Sequence, residues 1–314
     1  MSRDGSDSTH ERVEDQATGE PAQTPAIDEG RYLYCIVRAD EDADLEMTGV
    51  DGEPVSVLAE GGIGAIVHAC DSIYDSGDLA QIRRWLVRHQ TVVDEAGQAF
   101  GTPIPFQFDT ILRSDDAGVR EWLREEHETL ERALSEFAGH WEYRVQVVEV
   151  DPISDDSLIE RDERLRELDE RIGDSEEGTA FLLEKQFDQR LSELRVARRE
   201  SLTADLKGRL AEDAREVHAL ERAPNASLAD DVAGGSGSTG ETDTPDDGET
   251  ICRLTLLAHE DDEEAIGSIL DDVAANEGLE VRFTGPWPPY TFAPELGGES
   301  NGDATADDRA NPQP

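Results

Sequence analysis

Apolar residues along this chain follow two periods, and the places where the period changes mark its elements. YLYCIV (32–37) is a short apolar run rich in aromatic and β-branched residues, a buried strand. VSVL (55–58) and GIGAIVHA (62–69) follow, with Ala59, Glu60 and Gly61 between them, a spacing that reads as a hairpin. The period then lengthens. Leu79, Ile82, Leu86, His89, Val93, Ala96 and Phe100 recur in steps of three and four, one face of a helix from about 79 to 98 with Asp78 as its N-cap. TPIPFQFDTIL (102–112) holds two prolines and is extended, at a sheet edge or in a rigid loop. Val119, Trp122, Leu123, Leu130, Leu134 and Phe137 mark a second helix, capped by Asp115 or Asp116 and stopped near Gly139. YRVQVVEV (143–150) is a strand that Pro152 ends.

The next stretch is helical and charged. Leu158, Ile159, Leu165, Leu168 and Ile172 place a helix over roughly 156–172, and residues 173–178 break it. A longer helix is predicted over about 179–222, with Leu183, Phe187, Leu191, Leu194, Leu202, Leu206, Leu210, Val217 and Leu220 as its narrow stripe. A stripe that narrow suits one arm of a helical hairpin or coiled coil. Residues 224–249 are Gly, Ser, Thr and Asp without period, a flexible insert. ICRLTLLA (251–258) is a strand, Asp261 or Asp262 caps a helix to about Asn276, and LEVRFT (279–284) is the last strand. The segments 143–150, 251–258 and 279–284 are expected to share one sheet.

The pattern predicts an α+β fold in two domains, with helices on one face of a mainly antiparallel sheet. A ferredoxin-like N-terminal domain covers 31–142, and a C-terminal α+β domain with a long helical hairpin or coiled-coil arm covers 143–296. A disordered acidic arm (1–30) and a disordered tail (297–314) flank them.

One segment stands apart. The last strand stops at Gly285, and Pro286, Trp287, Pro288, Pro289 and Tyr290 follow at once. Proline fixes φ, removes a donor and holds the preceding residue extended, so the segment is stiff and is not expected to continue a sheet ladder. Two aromatics on so rigid a backbone suit either a structural plug or a surface gripped by another chain.

Charge narrows the function. Among 314 residues, 74 are acidic and 28 basic, a formal net charge of −46, and Lys185 and Lys207 are the only lysines. Asp and Glu crowd even the periodic segments. This predicts a folded, acid-coated protein from a concentrated-salt interior, where screening lengths shrink to about 3 Å. The charge argues against non-specific nucleic-acid binding. No apolar run is long enough to span a bilayer, and the first 30 residues lack an apolar signal core, which points to the cytoplasm. Cys35, Cys70 and Cys252 lie in apolar runs and read as small hydrophobes, not as a disulfide framework.

Motifs for chemistry are missing. Neither a P-loop nor a strand-linked GxGxxG occurs, and GGIG (61–64) reads as a hairpin turn. His68 and Cys70 share a strand face, but two further ligands for a metal are not adjacent. No GxSxG elbow occurs. His89, on the apolar stripe of its helix, reads as a core or interface histidine with a satisfied hydrogen bond. No catalytic, cofactor or metal residue is assigned.

Four stretches resemble the gas vesicle protein F/L family. YLYCIV (32–37) is similar to its opening strand, and His89 falls where the family often has a histidine. PIPFQFDTIL (103–112), with Pro105, Phe106 and Phe108, resembles its "LPLRFGT" run, and FTGPWPPYTF (283–292), ending at Phe292, resembles its C-terminal signature. GTAFLLEKQ (178–186) is a fainter match. The resemblance covers roughly 32–296, and the size with the acidic insert is closest to haloarchaeal members. Gln107 and Asp109 depart from it, standing where the family usually has Arg and Gly. The resemblance implies two α+β domains and a non-enzymatic accessory protein for gas vesicle assembly, without cofactor. It also implies binding to the hydrophobic main shell protein and to other vesicle accessory proteins, and a place in the cytoplasm beside the vesicle. The aromatic, proline and histidine residues just named are the candidate contact or signature positions. The alternatives are a minor structural component of the vesicle wall and an enzyme of unknown chemistry on a ferredoxin-like domain.

Overall fold

In a computed structural model, which describes residues 26–220, 248–294 and 296, the first apolar run lies in a central strand, β1 (Ala26–Arg38). β1 begins earlier than its apolar pattern. Residues 26–30, assigned to the acidic arm by composition, continue the pairing, with Gly30 opposite Cys70. Ile27 is buried here, and a side chain at Gly30 would stand 3.1 Å from the Cys70 carbonyl oxygen and from Ile111. β2 (Ser56–Glu60) and β3 (Ile63–Ser72) form the expected hairpin. Its two-residue turn, Gly61-Gly62, has φ of 61° and 87°, the left-handed region such turns require. β4 (Ile104–Pro105) and β5 (Ile111–Leu112) both pair with β1, giving the order β2-β3-β1-β4 with β5 beside β1.

Helices cover both faces of this sheet, not one. α1 (Leu79–Phe100) starts at Asp78, whose carboxylate accepts the Ala80 N–H. Val92, Val93 and Ala96 of α1 pack with Tyr32, Tyr34, Val37 and Ile66. α2 (Asp116–Glu125) and α3 (His127–Phe137) bury Val119, Leu123, Leu130, Leu134 and Phe137 on the opposite face, with Leu33, Ile36, Ala65 and Val67. A sheet covered on both sides explains why β1 reads as an unbroken apolar run instead of alternating. The single helix expected across 119–137 is therefore two, broken at Glu126 (φ −91°, ψ 6°) without leaving the core face.

The second sheet holds β6 (His140–Glu149), β7 (Glu216–Ala219), β8 (Glu249–His259) and β9 (Leu279–Trp287), in the order β7-β8-β6-β9. The three expected strands pair as predicted, with β6 between β8 and β9. β7 was not foreseen. The long helix, α6 (Glu177–Asp213), stops nine residues short of the predicted 222 because Ala214 turns extended (φ −104°, ψ 140°). Residues 216–219 then pair with 254–257 of β8. Val217 is buried by this pairing, so it belongs to a strand face and not to the helical stripe. β8 also starts at Glu249, opposite Glu149, inside the stretch read as insert. The rest of that insert (224–247), the arm before residue 26 and the tail at 297–314 lie outside the described residues.

Between β6 and β7 runs the helical arm. α4 (Asp155–Arg161) and α5 (Glu163–Gly173) replace the single helix expected there. Asp162 divides them: its carboxylate accepts the Leu165 N–H as N-cap and the Arg190 guanidinium of α6 at 2.7 Å. Pairs Asp162–Arg190 and Asp155–Arg195 run in opposite senses along the chain, so α4–α5 and α6 form an antiparallel hairpin. Leu165, Leu168, Leu183 and Leu191 fill its seam. α6 is roughly 55 Å long, and only its last turns, at Leu206 and Leu210, reach the second core. α7 (Glu263–Ala274) closes that core with Ile266, Leu270 and Val273. It is preceded by a 3-10 turn over Glu260–Asp262 capped by His259, and Asp262 takes the N-cap position of the helix as expected, without a side-chain cap bond.

Candidate partner-binding site

The Pro/Trp/Tyr segment does not leave the sheet at Gly285. Arg144 pairs with Thr284 and Glu142 with Trp287, so Gly285 and Pro286 together face the single residue Tyr143. This is a β-bulge, and the ladder resumes beyond it. The bulge accounts for both residue types. Gly285 has φ of 135°, and a Cβ there would stand 2.8 Å from the Tyr143 ring. Pro286 is exposed and takes the unpaired position, where no N–H is needed.

Beyond Trp287 the chain folds into a strap. Pro288 and Pro289 are buried, and their carbonyls accept the N–H groups of Tyr290 and Ala293, each at 2.8 Å. Thr291 donates its backbone N–H and its hydroxyl to the two carboxylate oxygens of Glu142, at 2.8 and 2.9 Å. Glu142 is 1% exposed, and the Arg144 guanidinium stands 3.3 Å away as counter-charge. Phe292 lies against the His218 ring at 4.9 Å, and Phe292, Ala293 and Leu296 pack on the core formed by the first sheet with α2 and α3. The strap thus joins the second sheet to the first half of the molecule.

The aromatics of the segment follow the strap inward. The Tyr290 ring faces His89 across 6.5 Å, and its hydroxyl is enclosed without a hydrogen-bond partner among the described residues. Trp287 is half-buried, with its indole N–H enclosed and unpartnered in the same way. Of the two readings left open for these aromatics, the geometry matches the plug.

His89 and Phe108 meet on the α1 side of the first sheet, their rings 6.0 Å apart, whereas Phe106 is buried on the opposite side with its ring 6.2 Å from Trp122 of α2; Pro105 is buried and Phe108 half-buried. His89 donates from Nε2 to the Phe106 carbonyl (3.2 Å) and accepts the Tyr32 hydroxyl at Nδ1 (2.8 Å). Tyr32 in turn accepts the Asp109 N–H at 3.1 Å. A second relay runs beside it. The Val50 N–H donates to the Tyr34 hydroxyl at 2.7 Å, and the Tyr34 and Tyr74 hydroxyls hydrogen-bond His68 at Nδ1 and Nε2, each at 2.8 Å. The Phe106 carbonyl can only accept, which fixes the His89 tautomer. Burial lowers His68 and His89 to about 4, and it raises the Tyr32 and Tyr34 hydroxyls well above the ordinary tyrosine range. Both imidazoles are therefore neutral near pH 7.

Asp109 has φ of 65°, the left-handed conformation that Asp tolerates better than most side chains. Its carboxylate accepts the Tyr74 N–H at 2.9 Å, and burial raises its pKa. Gln107 points outward. Sequence reasoning missed Tyr32, Tyr34, Tyr74 and Glu142. The alternation Tyr32/Tyr34 was the available signal, since residues two apart share a strand face. Glu142 had none, because carboxylates are the background of this chain.

Outward, the large apolar side chains most exposed among the described residues are Leu79 and Val87 on α1, Phe181, Leu182 and Val196 on α6, and Val150. Among the described residues no helix is long and apolar enough to cross a membrane, and no group of three or more His, Cys, Asp or Glu is placed to hold a metal ion. The three cysteines are free.

Known proteins share this arrangement. The profile of "Gas vesicle synthesis protein GvpL/GvpF" matches residues 30–294. Gas vesicle protein L1 of Halobacterium salinarum is 44% identical over 90% of this chain and 96% of its own length. Gas vesicle protein L of Haloferax mediterranei is 35% identical over 92% and 96%. Among solved structures, the gas vesicle protein GvpF from an Anabaena species superposes with a TM-score of 0.58 at 20% identity, covering 85% of this chain and 98% of that one. GvpF from Microcystis aeruginosa superposes with a TM-score of 0.54 at 18% identity, over 84% and 99%. Matched along most of its length by profile, sequence and fold, the chain belongs to the GvpL/GvpF family of gas vesicle synthesis proteins.

Proposed function

We propose that the protein is a non-catalytic accessory factor of gas vesicle assembly, which holds the hydrophobic shell protein and other vesicle accessory proteins while the shell forms. The observation that carries this reading is the family match across residues 30–294. The surface supports it. Exposed apolar side chains on α1 and α6 belong to a chain of net charge −46, which suits a protein that engages greasy partners yet stays dissolved itself. The same coat supports work in a salt-rich cytoplasm.

We also infer that each half is a ferredoxin-like unit. Counted from its own first strand, each sheet has the order second-third-first-fourth. The second half follows the strand-helix-strand-strand-helix-strand sequence, with the arm as an enlarged first crossover. In the first half that crossover holds only a 3-10 turn, Val50–Gly52.

Deleting the gene from gas-vesicle-forming cells tests the function. Loss of vesicles, with the protein washed from purified wild-type vesicles by concentrated urea, is the expected result. Normal vesicles in the deletion strain overturn it, and retention in urea-stripped walls favours a wall component instead.

A further inference from the structure

We propose that the outward face of α1 docks an acidic amphipathic helix of another vesicle protein; this rests on the assembly reading above. About one residue in four of the chain is acidic, yet residues 79–93 contain three arginines and no Asp or Glu. Ala80, Arg83, Arg84, Val87, Arg88 and Thr91 line one shallow groove of about 520 Å³ on that face. Leu79 beside it is 65% exposed and Val87 in its middle 50% exposed. The opposite face of α1, with His89, Val92, Val93 and Ala96, is spent on the core.

The spacing fits a helix. Ala80, Val87 and Thr91 form the low, uncharged floor, and Arg84 and Arg88, four residues apart, stand along it as a ridge with Arg83 beside Arg84. Such rows receive the ridges of a second helix laid 8–10 Å away. Arg84 and Arg88 are held by neutral groups, the Gln81 side chain and the Thr48 hydroxyl, and the Asp78 carboxylate lies 3.9 Å from Arg84 at the helix start. Guanidinium groups so placed match carboxylates in bidentate geometry. In concentrated salt only contact-range pairs escape screening, so the arginines select a fitting partner instead of attracting anions at large.

The test places the photo-crosslinker p-benzoylphenylalanine at Val87 of the full chain in gas-vesicle-forming cells, with Val150 as the control position, and maps linked peptides by mass spectrometry. The expected product joins position 87 to an acidic amphipathic helix of another vesicle protein. It falls about tenfold in the Arg84→Glu/Arg88→Glu variant, the weight of one such pair, and returns when the partner's carboxylates are changed to lysine. Val87→Asp, read with a dichroism check of folding, lowers binding in the purified pair without the charge change. No product above the control, a product with a second copy of this chain, a link to a basic or non-helical segment, or indifference to the arginine variant each overturn the proposal. Vesicle loss on deletion without the position 87 product sinks the surface but keeps the assembly function; the product with normal vesicles after deletion does the reverse.

Discussion

Two buried histidines and one buried carboxylate carry the clearest consequences at the level of single residues. His68 and His89 stay neutral when folded, at about 4, while an unfolded histidine takes a proton near 6.5. Between those values the unfolded chain binds more protons. The histidine contribution to stability is therefore complete above about pH 6.5 and is lost as pH falls toward 4, by a few kcal/mol in all. Protonation of surface carboxylates relieves repulsion over the same range, so the comparison must be with a variant. His89→Gln is expected to lose less urea resistance than the parent chain between about pH 7 and pH 4.5, and equal losses would contradict the neutral-imidazole assignment. Glu142 holds the strap through two donors, the N–H and the hydroxyl of Thr291. Glu142→Ala leaves the Thr291 N–H and hydroxyl without their acceptor and removes the carboxylate 3.3 Å from the Arg144 guanidinium. A destabilisation of about 2–4 kcal/mol is expected by denaturant titration, with new proteolytic cleavage within residues 288–294.

At the level of elements, the bulge in β9 makes a sharp prediction. Gly285→Ala sets a methyl group against Tyr143 at a φ of 135°. Unfolding measurements are expected to show a cost of about 1–3 kcal/mol, and Pro286→Ala, at the exposed unpaired position, much less. This bulge is also where local reading failed most instructively. Pro and Gly after Phe283 looked like a strand end, because a ladder interrupted by one extra residue and one continued look alike until the partner strand is known. β7 was illegible for a related reason: Val217 and Leu220 continue the helical step from Leu210, and only the free edge of β8 makes the strand the better state. Where an element buries its own stripe, as in β6 and in α1 from His89 onward, the periodicity was sufficient, although Leu79, placed on the α1 stripe, is 65% exposed. The candidate site was legible as a cluster of residue types with its direction left open between plug and gripped surface, since a sequence shows that Trp287 and Tyr290 sit on stiff backbone but not which way that backbone turns. On the arm, Leu191→Ala is expected to speed amide exchange across α5 and the middle of α6 while leaving β6 and β8 protected, because Leu191 is buried in the hairpin seam outside the second core.

For the whole molecule, the two halves are held together at several points. Trp141 of β6 sits against α1, so closely that a Cβ on Gly97 would stand 3.0 Å from its ring. Leu257 of β8 belongs to the core under the first sheet, as do the strap residues Phe292 and Leu296. The stretch 224–247, by contrast, joins β7 to β8, strands already paired side by side from Ala219 with Leu254 to Glu216 with Leu257. Replacing it with a short Gly/Ser linker is expected to leave the dichroism spectrum and unfolding midpoint unchanged, and a collapse of either would show that it packs on the described body. The strap has a further implication, in the order of synthesis. Glu142 waits 149 residues for Thr291 to arrive. While the ribosome makes the arm and the second sheet, the greasy floor that Phe292 and Leu296 finally cover stays open to water. A newborn chain thus needs shelter or haste during that interval, and a release of arrested nascent chains just before and just after residue 296 would register the closing of that floor as a step in protease resistance.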